Sequence, residues 1–259
     1  MPRAVTVYGI GGDAVGEVVL PSVFEARVRP DLIKRAVLTI QSHGFQPQGR
    51  DPRAGKKTTA VSVGVGRGLS RVPRLKQSSR AAFASSVVGG LAAAAPDSEK
   101  VIRKKLNKKE NRLAIISGVA ATGDRNMISK RGHRIDAVKE LPIILDDGIQ
   151  GLQKTREVRD LFSKLGVWND VVRTSDAKTR AGKGKMRNRR FKHRRGPLIV
   201  VAEDFGISEA TGSLPGVEVV RASDLNVELL APGAVPGRLT LWTRSALISL
   251  DTVFRVDRE

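Results

Sequence analysis

The chain has 259 residues, of which 46 are Lys or Arg and 26 are Asp or Glu, giving a formal charge of +20. That length allows one large domain or two small ones with a substantial core, and with only 4% aromatics the core must rest on Val, Ile, Leu and Ala. The absence of cysteine excludes a disulfide scaffold, a thiolate zinc site and a cysteine nucleophile, and three scattered histidines (His43, His133, His193) argue against a histidine metal centre.

The first elements read as a hairpin. Val5, Thr6, Val7 and Tyr8 alternate in the strand manner, a Gly-rich turn follows, and Val18, Val19 and Leu20 form a second strand, so residues 4–20 are predicted to fold back on themselves. Pro30 and Asp31 open a helix with apolar residues at helical spacing up to Gly44. A second helix passes through residues 112–117 and is predicted to begin before residue 107. The run 141–146 is continuously apolar up to Asp146, as a strand buried on both faces requires. An amphipathic helix follows at 155–165, stopped by Gly166. Buried strands are predicted at 198–202 and 217–220, a last strand at 239–243, and a last helix at 245–250. Strands alternating with helices predict an α/β body, three-layer, with a mainly parallel sheet.

Residues 45–95 break this pattern. They hold no sustained period of 2.0 or 3.6 and are rich in Gly, Ser, Pro and Arg, which marks a long irregular extension. The expected division is therefore a body of residues 1–44 and 96–259, an extension loop at 45–95, and a second, shorter basic loop at 173–195. Charge follows the same division. Residues 41–112 carry +12 and residues 173–195 carry +10, while the remaining 164 residues come to −2.

Three motifs fail the test of context. Gly9, Ile10, Gly11 and Gly12 follow a strand, but a dinucleotide fingerprint needs a third glycine and a helix directly afterwards; a turn is expected. Gly184 and Lys185 are followed by Met186 where a phosphate-binding loop needs a hydroxyl, so nucleotide hydrolysis is not expected. Asp146 and Asp147 end a strand without a third carboxylate or a histidine, and are read as turn formers. No catalytic set and no metal site emerge.

The basic segments carry the functional signal. Lys178, Arg180, Lys183, Lys185, Arg187, Arg189, Arg190, Lys192, Arg194 and Arg195 face one acid, Asp176, with Gly182 and Gly184 permitting close approach and Phe191 a stacking face. Such density of like charge repels itself without a polyanion, so nucleic acid is the expected partner, bound mainly through phosphate. Arg50, Arg53, Lys56, Lys57, Arg67, Arg71, Arg74, Lys76 and Arg80 extend the expected contacts into the long loop. RNA is favoured over DNA, because no motif would place a helix in a major groove and long unstructured basic extensions suit the crevices of a folded RNA. The N-terminus MPRAVTVYGI has no leader pattern and no window approaches eighteen consecutive apolar residues, so a soluble intracellular protein without membrane contact is expected.

Residues 178–190, KTRAGKGKMRNRR, continuing to Arg195, Gly196 and Pro197, resemble the universal large-subunit ribosomal protein four family in its archaeal and eukaryotic form. So do GVGRG at 64–68 with RVPR at 71–74, VLPSVF at 19–24, RPDLI at 29–33, LAPG at 230–233 and PGRLT at 236–240. The apolar stretch at 87–91 and the short C-terminus favour the archaeal form. The resemblance implies a structural constituent of the large ribosomal subunit, cytoplasmic, that binds 23S-type ribosomal RNA and aids its assembly. It implies that the long loop reaches the nascent-peptide exit tunnel, with Gly66, Arg67, Leu69, Arg71 and Arg74 as tunnel-lining candidates beside ribosomal protein twenty-two and the nascent peptide. No cofactor is implied beyond Mg2+ or K+ ions of the RNA itself. The alternatives on residues alone are an RNA-modifying enzyme with a basic substrate arm, which would need a cofactor fingerprint, and an RNA chaperone working through its basic segments.

Overall fold

In the computed structural model, which describes residues 3–253, the opening alternation becomes an antiparallel ribbon of β1 (Ala4–Tyr8) and β2 (Ala14–Val19). The glycines between them make the expected turn: the Gly9 amide donates to the Asp13 carbonyl at 2.9 Å, and Gly12 takes a positive φ of 79°. α1 (Pro30–His43) follows at the predicted place. α2 (Lys108–Ala121) begins later than the sequence suggested. Asn107 is extended (φ −66°, ψ 144°), and the cations at 103–105 precede a helix start they would oppose electrostatically.

α3 (Arg125–Arg131), which sequence reading missed, is capped by Asp124, whose carboxylate accepts from the Asn126 amide at 2.9 Å. β3 is shorter than the apolar run, Ile143–Leu145, because Pro142 has no amide to give a sheet. α4 (Thr155–Lys164) and the unpredicted α5 (Trp168–Ser175) come next. Residues 173–195 are thus not wholly loop: the first three close α5, and β4 (Lys178–Thr179) pairs with β5 (Phe191–Lys192). β6 (Leu198–Val201), α6 (Ile207–Thr211), β7 (Glu218–Arg221), α7 (Val227–Leu230), β8 (Thr240–Thr243) and α8 (Arg244–Val253) complete the body. The helices α6 and α7 span about a turn each, too short to show a period in sequence.

The main sheet has the order β2-β1-β3-β8-β6-β7, parallel throughout except for β2 against β1. Its strands sort their side chains onto two faces, as a period of two requires. Val5, Val7, Ile144, Leu198, Val200 and Trp242 join a core with Ile33 and Val37 of α1, Ile116 and Val119 of α2, Leu230 of α7 and Leu247 of α8. Ile143, Leu145, Ile199, Val201 and Leu241 point the other way, against Ile128 of α3, Leu161 and Phe162 of α4, Val171 of α5 and Ile207 of α6. This is the expected three-layer α/β architecture. Phe24 meets the fully buried Trp242 edge to face, their ring centres 5.6 Å apart. β7, expected to be buried, is a half-buried edge strand.

Gln41–Lys104 form a compact unit distinct from the rest of the chain. Its two ends meet: the Lys104 amide donates to the Ser42 hydroxyl at 2.9 Å, and His43 Nε2 lies 2.9 Å from the Lys104 carbonyl. Farther out, the Arg50 amide donates to the Pro96 carbonyl at 3.1 Å. No residue between His43 and Leu113 is buried. Close backbone approach takes the place of a core. A Cβ on Gly55, itself at φ 75°, would stand 2.4 Å from the Gly90 carbonyl oxygen, and one on Gly90 would run into the Ala84 carbonyl.

Replacing residues 45–95 by a short Gly/Ser linker removes no buried side chain, and loop closure depends only logarithmically on length. The shortened chain is expected to unfold cooperatively, with a Tm within about 5 °C of the full chain, an offset of one to two kcal/mol. Calorimetry checks this, and a variant without a cooperative transition would place 45–95 in the folding unit.

Candidate nucleic-acid interface

The short basic loop is a small hairpin built almost wholly of exposed cations. β4 and β5 set Lys178 opposite Lys192 and Thr179 opposite Phe191. Above them the Arg180 amide donates to the Arg190 carbonyl at 2.8 Å. Residues Lys183–Met186 make a single turn of 3-10 helix, and the amides of Arg187 and Arg189 both close onto the Gly184 carbonyl at 3.1 Å. Gly182 (φ 80°) and Asn188 (φ 58°) supply the left-handed residues on either side of this turn. The half-buried Arg180 is spent on structure, its Nε donating to the Arg189 carbonyl at 2.9 Å. The guanidinium of Arg190 lies 5.3 Å over the Phe191 ring, so these two side chains present one cationic, stackable surface.

Nine cations of this hairpin, Lys178, Arg180, Lys183, Lys185, Arg187, Arg189, Arg190, Lys192 and Arg194, have no carboxylate within 4.0 Å among the described residues. Arg195 differs. It pairs with Glu218, which also takes Arg238 Nη1 at 2.7 Å. Fully buried, Arg238 donates further to the carbonyls of Gly196 and Leu229, each at 2.9 Å, and burial followed by the nearby Arg195 lowers its pKa to about 9.

The other root of the hairpin is a buried polar triad. His133 donates Nδ1–H to Asp170 Oδ2 at 2.8 Å, while Asp170 Oδ1 accepts from Arg173 Nε at 2.8 Å and from the Arg134 amide at 3.0 Å. Arg173 Nη2 crosses to the Arg195 carbonyl at 2.9 Å, tying the hairpin's two ends together. Burial works against ionising Asp170, but hydrogen bonds from His133, Arg173 and the Arg134 amide hold its carboxyl below the usual range. Burial also dominates at His133 and keeps its pKa below 6.5 despite Asp170. Arg131 beside them is lowered to about 10, first by burial and then by Arg238 and Arg173. None of these root residues except Arg195 stood out in the sequence; the one available signal was Asp170 and Arg173 at a spacing of three on a helix.

In the long unit, Arg50, Arg53, Lys56, Arg67, Arg71, Lys76 and Arg80 are exposed, and Lys57 pairs with Asp51 at 3.2 Å. Arg80 reaches the Val88 carbonyl at 3.1 Å. Arg74 organises its surroundings: its backbone pairs with Val61, and its guanidinium holds the Ser79 carbonyl at 3.0 Å and the Ser70 hydroxyl at 3.1 Å. Beyond that pair the chain reverses through Gly64, Gly66 and Gly68, all at positive φ, with Val65 71% and Leu69 54% exposed. Gly66, Arg67, Leu69 and Arg71 therefore sit on one exposed turn, and Arg74 at its base.

The place where α/β folds bind small ligands is crossed by a set of hydrogen bonds. β3 and β8 are neighbours whose following helices cover opposite faces, the arrangement that opens a crevice at the strands' carboxyl ends. Here Asp147 occupies it, accepting from the Ser245 amide at 2.9 Å, the Ser245 hydroxyl at 2.6 Å and Gln150 Nε2 at 3.2 Å. Gln150 in turn accepts from the Glu203 amide at 3.1 Å. Among the described residues, no group of three His, Asp or Glu could hold a metal ion.

Residues 18–253 match the model of the "Ribosomal protein L4/L1 family". The chain belongs to that family. It is 44% identical over 255 residues to the large ribosomal subunit protein uL4 of Methanosphaera stadtmanae, covering 98% of each chain. The uL4 protein of Methanopyrus kandleri is 47% identical over 95% of this chain and 96% of its own, and that of Sulfurisphaera tokodaii 45% over 93% and 91%. These relatives are archaeal, the form that the sequence favoured within the L4/L1 family.

Two outcomes test the root. Asp170→Ala leaves Arg173 without its buried partner and is expected to cost about 3–5 kcal/mol, read from denaturant unfolding. Because the folded pKa of His133 is depressed, its contribution to stability is complete above pH 6.5 and falls as pH drops below that value. Stability measured from pH 7.5 to 5 should show that decline in the parent chain and a shallower one in His133→Gln; equal slopes would remove His133 from the linkage.

Proposed function

We propose that this chain is a structural constituent of the large ribosomal subunit in the cytoplasm, binding large-subunit, 23S-type ribosomal RNA through its two cationic segments and aiding RNA assembly. The observation that carries the reading is the hairpin at 178–194, where nine cations without carboxylate partners stand on a turn fixed by its own backbone hydrogen bonds. Membership of the L4/L1 family, and relatives named as large ribosomal subunit proteins, support the same partner. Electrostatics favours the same partner, since exposed like charges at this density repel one another and phosphate would neutralise them. Mg2+ or K+ would enter as ions of the RNA.

In the same reading, Gly66, Arg67, Leu69 and Arg71 on the exposed turn, with Arg74 at its base, line part of the nascent-peptide exit tunnel beside ribosomal protein twenty-two. An exposed apolar pair, Val65 and Leu69, among cations suits a wall that borders both RNA and a passing peptide. Asp147 at the strand ends is engaged with Ser245 and Gln150 in turn chemistry, and gives no support to an RNA-modifying enzyme.

Replacing Lys183, Lys185, Arg187 and Arg190 by Ala removes four phosphate contacts. The slope of log K against log salt for ribosomal RNA should then fall by about 3 to 4. Filter binding between 50 and 300 mM KCl reads this, and an unchanged slope would show that the hairpin does not touch phosphate. For the tunnel, a photoreactive nascent peptide stalled on ribosomes carrying the 45–95 deletion is expected to lose its cross-link to this protein; a retained cross-link would place the turn elsewhere.

A further inference from the structure

One edge of the sheet is a strand that the described residues leave largely exposed. β2 pairs with β1 alone and ends the sheet, and five of its six residues are exposed. The Leu20 amide donates to the Arg3 carbonyl, which makes Arg3–Leu20, Val5–Val18 and Val7–Gly16 the hydrogen-bonded pairs. The amides and carbonyls of Glu17 and Val19 are thereby turned outward, away from β1. Val15 and Val19 are 66% and 58% exposed, and Ile10 at the turn is 47% exposed.

The charge here is opposite to that of the chain as a whole. Residues 4–26 hold Asp13, Glu17 and Glu25 and not one Lys or Arg, in a protein of net charge +20. Arg3 is turned inward to the Leu141 carbonyl, and the stem of Lys164 lies against Gly12 at the turn. An RNA backbone would meet carboxylates on this edge. A second copy of the strand, paired antiparallel about Glu17, would set two carboxylates directly opposite each other, which is unfavourable. The sheet's other edge offers no equivalent, since β7 is half-buried and its Glu218 is committed to Arg195 and Arg238.

We propose that the β2 edge docks an extended, basic polypeptide segment, which adds a strand to the sheet through the outward groups of Glu17 and Val19 and sets a cation against Glu17. Main-chain hydrogen bonds supply the affinity, and Glu17 with the exposed valines supplies the selection for alternating basic and β-branched residues. This surface is independent of the RNA reading, and it is tested without RNA.

The probe is a capped octapeptide of alternating Val and Lys, titrated into the full-length chain at 150 mM salt and followed by calorimetry and amide hydrogen exchange. Because the protein is strongly cationic, a cationic peptide has no general attraction to it. Binding with new protection confined to residues 14–19 is expected. Glu17→Lys should weaken it at least tenfold. Val19→Pro removes an outward amide but no bond to β1, and should abolish it. Circular dichroism checks that both variants fold, and Glu17→Lys alone suffices if Val19→Pro does not. Absence of binding, protection outside 14–19, or equal affinity for Glu17→Lys would each overturn the proposal. So would self-association of the parent chain through this edge, seen in sedimentation equilibrium as a dimer that Val19→Pro dissolves.

Discussion

A charged side chain is not buried without a partner, and this chain has 20 more cations than carboxylates. That surplus dictates the architecture. The most deeply buried cations of the body are matched: Arg238 shares Glu218 with Arg195, and Arg173 shares Asp170 with His133. Most of the surplus is placed where no core is required of it, on a largely exposed hairpin and on a 64-residue unit in which Ser42 is the one buried side chain among the described residues. The sheet can then be covered on both faces by helices of ordinary composition.

The buried ionic groups occupy the boundary between those two regimes. A hairpin carrying nine like charges pushes its own ends apart, and its ends are where the network is densest. Arg173 binds the Arg195 carbonyl, and Arg194 Nη1 reaches back to the Arg173 carbonyl at 3.3 Å. Glu218 and Asp170 hold the cations that would otherwise add to the repulsion. Each carboxylate is worth more to the position of the hairpin than to the cohesion of the core, where apolar residues of equal volume would pack as well.

The body was legible in sequence where apolar periodicity is long: α1, α4 and the buried strands β3, β6 and β8 fall where the pattern of Ile, Val and Leu puts them. Elements of a single turn, such as α6 and α7, carry too few residues to show a period, and α3 is set by the Asp124 cap instead of by an apolar stripe. The cations of the interface were legible because charge needs no fold to be counted. Their anchors were not. His133 and Asp170 lie 37 residues apart, and Glu218 and Arg238 20 apart, so only the folded sheet brings them together. Arg74 shows the same limit from the other side, being cationic in sequence yet engaged with Ser70 and Ser79 in the structure.

The contact of Gly55 with Gly90 fixes a calibre. At that level three stretches of backbone, at Gly55, Ala84 and Gly90, stand in direct contact, so main chain sets the thickness of the unit there. A side chain at either glycine would force these backbones apart, so the thickness of the unit would change before a single charge does.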